Sequence, residues 1–137
     1  MIKVSAALIL RSSEILVCQR KKSAHYPLQW EFPGGKLEPG ETPPQCLHRE
    51  LTEELSIDAE IGTQYFQHQW HYPDSGTFEV YFFLVPSFHG ELKNNAFEQI
   101  RWIPMQQLPE IDMLEGNREV VQKIMKEFGI TRGDEQS

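Results

Sequence analysis

Residues 34–57, GGKLEPGETPPQCLHRELTEELSI, restrict this chain more than any other stretch, because two adjacent glycines run through a proline-containing turn into a segment with helical spacing. Thr42 is a helix N-cap, Pro43 suits the first helical position, and Gln45 sits where a capping box places Glu or Gln. Leu47, Leu51 and Leu55 then recur every four residues, so the spacing predicts a helix that docks on a core and ends at Leu55 or Ser56. At about 100° per residue, Glu50, Glu53 and Glu54 fall within about a third of the helix circumference beside that stripe. Like charges so placed repel by roughly 0.2–0.5 kcal/mol per pair on an exposed helix. A hard divalent cation reverses the sign of that cost, and oxygen ligands of this kind suit Mg²⁺, with Mn²⁺ as a substitute. The glycines ahead of the helix serve a sharp turn or a close approach of the backbone to a ligand.

A chain of 137 residues fits one domain with a real core, assigned to residues 1–130, with residues 131–137 as a solvated tail. The formal charge of -7 speaks against nucleic acid as a partner, since a phosphate backbone needs a basic stripe. A small phosphorylated ligand stays open, because bound cations reverse the local field. Cys18 and Cys46 lack metal-type spacing and read as reduced apolar residues. The N-terminal apolar run spans only about eight residues and no small-residue cleavage site follows it, so the expected compartment is the cytoplasm, with no membrane partner.

Strand patterns surround the helix. Residues 4–10 and 15–20 read as a hairpin, and residues 30–32 as a short strand broken by Pro33, Gly34 and Gly35. Residues 58–71 and 77–85 predict a second, longer hairpin around the turn Pro73, Asp74, Ser75 and Gly76. A strand over residues 99–103, a helical turn over 104–108 and a last helix over 117–128, capped by Asn117, complete the chain. One helix early and one late among strands give an α/β chain of the α+β type, a mixed β-sheet sandwiched between helices. His68 and His71 make no zinc pair, since three-residue spacing in a strand sends them to opposite faces. The aromatic residues of the second hairpin suit a core, with Phe78 or Tyr81 as the one that touches a ligand.

With its spacing, the opening stretch resembles the Nudix box: Gly, five residues, Glu, seven residues, Arg-Glu, an aliphatic, one residue, Glu-Glu, one residue, Gly and an aliphatic. Gly35, Glu41, Arg49, Glu50, Leu51, Glu53, Glu54 and Ile57 occupy those places, and Ser56 stands where the family has Gly. Residues 30–36, WEFPGGK, look like the approach to that box in the MutT-like branch, while residues 85–90, VPSFHG, resemble relatives that act on pyrimidine nucleotides. The resemblance implies a Nudix fold with its strand-loop-helix box. It also implies a metal-dependent hydrolase that cleaves a nucleoside triphosphate to the monophosphate and pyrophosphate. An oxidised nucleotide such as 8-oxo-dGTP is the expected substrate, with CTP, dCTP or 5-methyl-dCTP as the alternative. A non-catalytic nucleotide sensor is the competing reading of another class, and the presence of all three box glutamates favours the enzyme.

By that resemblance, Glu50, Glu53 and Glu54 hold metal together with a carbonyl of Gly34 or Gly35, and Glu50 is either a ligand or the general base. Glu98, on a loop before a late strand, is the other candidate base or ligand. Glu41 and Arg49 brace the loop against the helix, and Lys36 is placed to touch phosphate. Arg20, Phe32 and Asn117 form the base pocket, and Asn117, where pyrimidine relatives carry Asp, points to oxidised guanine. Monomer and homodimer both remain open.

Overall fold

The computed structural model describes residues 1–129, so the expected tail over residues 131–137 lies outside the described residues. β1 (Ile2–Arg11) and β2 (Glu14–Gln19) form the first hairpin but pair only near its closed end, Leu10 with Ile15 and Arg11 with Glu14. Beyond that point residues 30–36 fill the fork between them. β3 (Trp30–Glu31) pairs with β2, and β4 (Gly34–Lys36) pairs antiparallel with β1. Between the two, the Ala7 N–H donates to the Pro33 carbonyl at 2.8 Å. The expected break at Pro33, Gly34 and Gly35 is therefore a crossing from one half of the sheet to the other. Proline suits the crossing because it brings no N–H that would need a ladder partner.

β7 (Gly76–Val85) runs parallel to β1 from Ile2 to Ile9, and β6 (Gln64–Tyr72) pairs antiparallel with β7. β9 (Gln99–Pro104) covers the other side of β2. The sheet order is β3–β2–β1–β7–β6, with β4 added beside β1 and β9 beside β2. The single strand expected over residues 58–71 is two strands: β5 (Asp58–Glu60) leaves the main sheet and pairs with β8 (Ser87–His89) in a small ribbon.

Strand alternation buries both faces of the sheet. Ala6 and Leu8 join a cluster with Phe32, Phe82, Val120 and Ile124, whereas Ala7 and Ile9 join one with Leu47, Leu51, Leu55 and Phe83. One helix seals each cluster. α1 (Pro43–Leu55) starts with the full capping box: Gln45 N–H donates to Thr42 Oγ1 and Thr42 N–H to Gln45 Oε1. The buried Ser5 hydroxyl donates to the Pro43 carbonyl at 2.8 Å and pins the start of α1 on β1. α2 (Arg118–Ile124) is shorter than its pattern, with a wider turn, Met125–Gly129, continuing it. Asn117 does not cap it: φ -100°, ψ 0° and the absence of a side-chain cap bond leave its amide free for another use. Among the described residues no helix is long and apolar enough to cross a membrane.

Candidate active site

The glycine loop is shaped by what lies against it. β4 enters the fork so close to β1 that a Cβ on Gly34 would overlap the Ser5 carbonyl, and a Cβ on Gly35 would overlap the Glu50 carboxylate. Glycine at 34 is thus a demand of the sheet, whereas at 35 a side chain would displace the Glu50 carboxylate from its place against the loop. The Gly34 N–H donates to Glu54 Oε1 at 3.1 Å, and the Cys46 thiol donates to the Gly35 carbonyl at 3.4 Å. Cys46 and Cys18 are both buried free thiols.

Arg49 organises the acidic residues. Its Nε and Nη2 donate to the two oxygens of Glu41 at 2.6 and 2.9 Å, a two-point grip that ties the loop to the helix. Nη1 donates to Glu50 Oε1 at 2.9 Å and reaches Glu53 at 3.4 Å, and Nη2 also bonds the Lys36 carbonyl at 3.2 Å. Glu41 is held down to about 2, first by its hydrogen bonds from Arg49 and then by the Glu38 N–H. Glu54 goes the other way: burial first, and the neighbouring Glu50 second, push its carboxyl up to about 8 against the Gly34 N–H. Burial also raises Glu50, with the Arg49 hydrogen bond opposing.

The shared helix face does not make the three carboxylates one cluster. Among the described residues no group of three His, Cys, Asp or Glu side chains is set around a single metal position. Glu54 turns inward to Gly34, whereas Glu50, which lies against Gly35, and Glu53, 58% exposed, are both drawn to Arg49 Nη1. The donor set still fits a hard divalent cation, because it offers only oxygens and Glu54 is a carboxylate short of positive charge.

A cavity of about 530 Å³ opens beside this site. Gly34, Gly35, Lys36 and Glu54 line one part of it, and Arg20, Phe32, Phe78 and Asn117 another. Tyr81 is not among its walls. Three-residue spacing on β7 places Phe78 on the cavity face and Tyr81 on the α1 face, where its hydroxyl bonds Glu79. Trp70 and Tyr72, which suit a core by sequence, line the cavity, while Phe82 and Phe83 are core. His68 faces α2, its Nδ1 3.2 Å from Glu119, while His71 is exposed and bonds Thr77.

Glu31, Tyr26 and Gly116 are among the wall residues that escape sequence reasoning. Glu31 takes Arg20 Nη1 on both its oxygens, at 3.1 and 3.3 Å, so the cation expected to face a ligand is already engaged. Burial raises the Glu31 carboxyl, and Arg20 offsets part of that. An acid between Trp30 and Phe32 was its only sequence signal. Tyr26 lies in the loop after β2 and donates to Asp74 at the tip of the β6–β7 turn, and its ring centre is 5.1 Å from that of Tyr72, the two planes tilted by 47°. Gly116 donates its N–H to the Tyr72 hydroxyl at 2.8 Å. Asn117, next to it, donates its N–H to the Leu114 carbonyl at 3.0 Å, while its side chain makes a long contact from Nδ2 to the Met113 sulfur at 3.8 Å. Glu98 is exposed and does not line the cavity; its N–H donates to the Gln19 carbonyl at 2.9 Å, which fixes its backbone beside the end of β2.

The family model described as NUDIX domain matches residues 1–124. The chain is 39% identical over 102 residues to the CTP pyrophosphohydrolase of Escherichia coli K12, covering 74% of this chain and 75% of that one. It is 31% identical over 115 residues to the 8-oxo-dGTP diphosphatase of the same organism, covering 84% and 88%. Among solved structures, the E. coli ORF135 protein superposes with a TM-score of 0.82 at 32% identity, over 92% of this chain and 89% of that one. MutT from Aliivibrio salmonicida and Vibrio cholerae gives 0.79 at 29%, over 93% and 98%. With a box spaced as the family requires, a mixed sheet between two helices and a family match over nearly the whole described chain, this protein belongs to the Nudix hydrolase family.

Proposed function

We propose that the chain hydrolyses a nucleoside triphosphate to the monophosphate and pyrophosphate with a divalent cation, Mg²⁺ or Mn²⁺, and that it prefers an oxidised guanine nucleotide such as 8-oxo-dGTP. The carrying observation is that one cavity has both Gly34, Gly35 and Glu54, and Phe32, Phe78 and Asn117, in its walls. Its volume of about 530 Å³ lies within the range of small-molecule sites.

Glu50, Glu53 and Glu54, with a carbonyl of Gly34 or Gly35, would hold the cation. A bound cation neutralises phosphate charge and polarises phosphoryl oxygens. Arg49 holds Glu50 and the loop in register, so the carboxylates stay in place as substrate arrives. Glu50 or Glu98 takes the proton of the attacking water. Lys36, exposed at the lip of the cavity, meets phosphate. In the base pocket Phe32 and Phe78 provide apolar faces, and Asn117 offers a donor and an acceptor to a base edge. Arg20 contributes through its grip on Glu31. This reading has a single domain over residues 1–130 acting in the cytoplasm on free nucleotides, as a monomer or a homodimer.

A pyrimidine triphosphate is the second reading, favoured by the higher identity to the CTP pyrophosphohydrolase, 39% against 31%. A panel of 8-oxo-dGTP, dGTP, CTP, dCTP and 5-methyl-dCTP, ranked by kcat/KM in Mg²⁺, separates the two. A pyrimidine preference above about tenfold, some 1.4 kcal/mol, overturns the choice of oxidised guanine.

A further inference from the structure

Helix α1 ends at the one box position that departs from the family pattern, and the structure shows how the chain copes. Ser56 takes the left-handed conformation, φ 59° and ψ 33°, that glycine usually supplies after a helix. One short segment braces it. Asn95 Nδ2 donates to Ser56 Oγ at 2.8 Å and to the Glu53 carbonyl at 3.1 Å. The Asn95 N–H donates to the Glu54 carbonyl at 3.0 Å, and the Lys93 N–H to the Leu55 carbonyl at 2.9 Å. Three carbonyls that helix geometry leaves without partners are thereby satisfied from the same place, and two belong to the box glutamates.

The bracing segment is itself firmly held. Asn94 Oδ1 accepts from the N–H groups of Ala96 and Phe97 at 3.2 and 2.8 Å, and its Nδ2 returns a bond to the Phe97 carbonyl at 2.8 Å. Phe97 is buried in the cluster under α1. The next residue is Glu98, anchored on Gln19. The chain thus runs from the last turn of α1 to the Glu98 loop through bonds that leave little slack.

We propose that Asn95 is a positioning residue for cation binding: its side-chain amide stands in for the missing glycine and locks the turn bearing Glu53 and Glu54 against the loop bearing Glu98. This rests on the reading of those glutamates as cation ligands. A cap without this role would stabilise the helix and leave cation affinity alone. Glycine at 56 holds the left-handed turn without a brace, so in that background Asn95→Ala removes only the bond to the Glu53 carbonyl and the importance of Asn95 falls.

The test compares the parent protein, Asn95→Ala, Ser56→Gly and the double variant. The readouts are Mn²⁺ titration calorimetry, the Mg²⁺ dependence of pyrophosphate release, and thermal midpoints. Asn95→Ala is expected to weaken Mn²⁺ binding by about tenfold and raise the half-saturating Mg²⁺ concentration in step, with nucleotide KM at saturating metal held within about twofold. In the Ser56→Gly background the same substitution is expected to change Mn²⁺ affinity by less than about twofold. A lowered midpoint with Mn²⁺ affinity unchanged overturns the proposal, as does an equal effect in both backgrounds. If Asn95→Ala does not fold, a folded double variant that binds Mn²⁺ like Ser56→Gly supports the proposal, and an unfolded one overturns it. A parent that neither binds Mn²⁺ nor releases pyrophosphate overturns the reading of the site itself.

Discussion

The cavity has two kinds of wall, built in opposite ways. Gly34, Gly35, Lys36 and Glu54 come from one unbroken run of sequence, in which a capping box, a leucine stripe and an Arg49–Glu41 grip fix every part relative to the next. Arg20, Phe32, Tyr72, Phe78 and Asn117 come from five separate segments that meet only because β1 splits from β2 and β7 runs parallel to β1. Local rules hold the first wall and tertiary pairing holds the second. Damage to the first should therefore slow every nucleotide alike, whereas damage to the second should redistribute preference among them.

The largest expected effect tests the uniform half of that contrast. Glu53→Gln keeps size and removes charge, and kcat for Mg²⁺-dependent pyrophosphate release is expected to fall at least about 100-fold, roughly 2.7 kcal/mol of barrier, on every nucleotide. Exposure of the Glu53 side chain makes a folding defect a poor explanation of such a loss. Unchanged turnover, or a loss confined to one base, breaks the contrast at its strongest point.

Glu54, which lines the cavity where Glu53 does not, gives a second handle on the acidic helix, one that needs no substrate. Its carboxyl is raised from an ordinary 4.5 to about 8, so the folded chain holds a proton that the unfolded chain has released. That contribution to stability is fully present below about pH 4.5 and is lost as pH rises towards 8. Glu41, held down to about 2 in the folded chain, adds a slope of the opposite sign only at the acid edge of that window, where the unfolded chain still binds its proton, and does so in parent and variant alike. With a chelator present, urea midpoints should show the parent losing more stability than Glu54→Gln between pH 5 and 8, by on the order of 2 kcal/mol once water reaching the site is allowed for. Equal slopes would place the buried charge elsewhere.

The same contrast explains what could be read from the sequence. Helix α1 is legible at its start to the residue and at its end to within one, because Thr42, Gln45 and the leucines act over distances of three and four residues. Ser56, the departure from the box pattern, still takes the left-handed turn that glycine would supply, with Asn95, some forty residues away, as the part no local rule reveals. Pro33 to Gly35 read as a break because only the fork between β1 and β2 makes a strand there useful. Phe78 and Tyr81 were equivalent as aromatics in a strand, and register alone separates them. Asn117 looked like a cap, yet its backbone is not in cap geometry and its amide belongs to the cavity. Glu31 was passed over because nothing near it in sequence predicts that Arg20 will reach it.

Asn117→Ala tests the base wall directly. Discrimination between 8-oxo-dGTP and the other nucleotides of the panel is expected to shrink by about tenfold, some 1.4 kcal/mol, while the Mg²⁺ dependence of hydrolysis is kept. Because Asn117 makes no cap bond, the thermal midpoint should barely move. An equal loss on every nucleotide would mean that the two walls are not separable.

The smallest effect sharpens the contrast most, because it reaches the base wall through a residue that need not touch the base. Tyr72 ends β6 and accepts the Gly116 N–H at 2.8 Å, which fixes the turn that carries Asn117. On the other side the chain is tied to β3, where Trp30 donates to the Asp112 carbonyl and accepts from Leu114 N–H. Tyr72→Phe keeps the ring that packs against Tyr26 and Phe78 but strands a buried N–H, at a cost to stability of about 1 kcal/mol. Base discrimination should fall by about threefold, near 0.6 kcal/mol, in the same direction as Asn117→Ala. In the Asn117→Ala background the Tyr72→Phe effect on discrimination should vanish while its stability cost persists. A Tyr72 effect that survives there would show the phenol reading the base itself, and the base wall would then owe its selectivity to the end of β6 as well as to the start of α2.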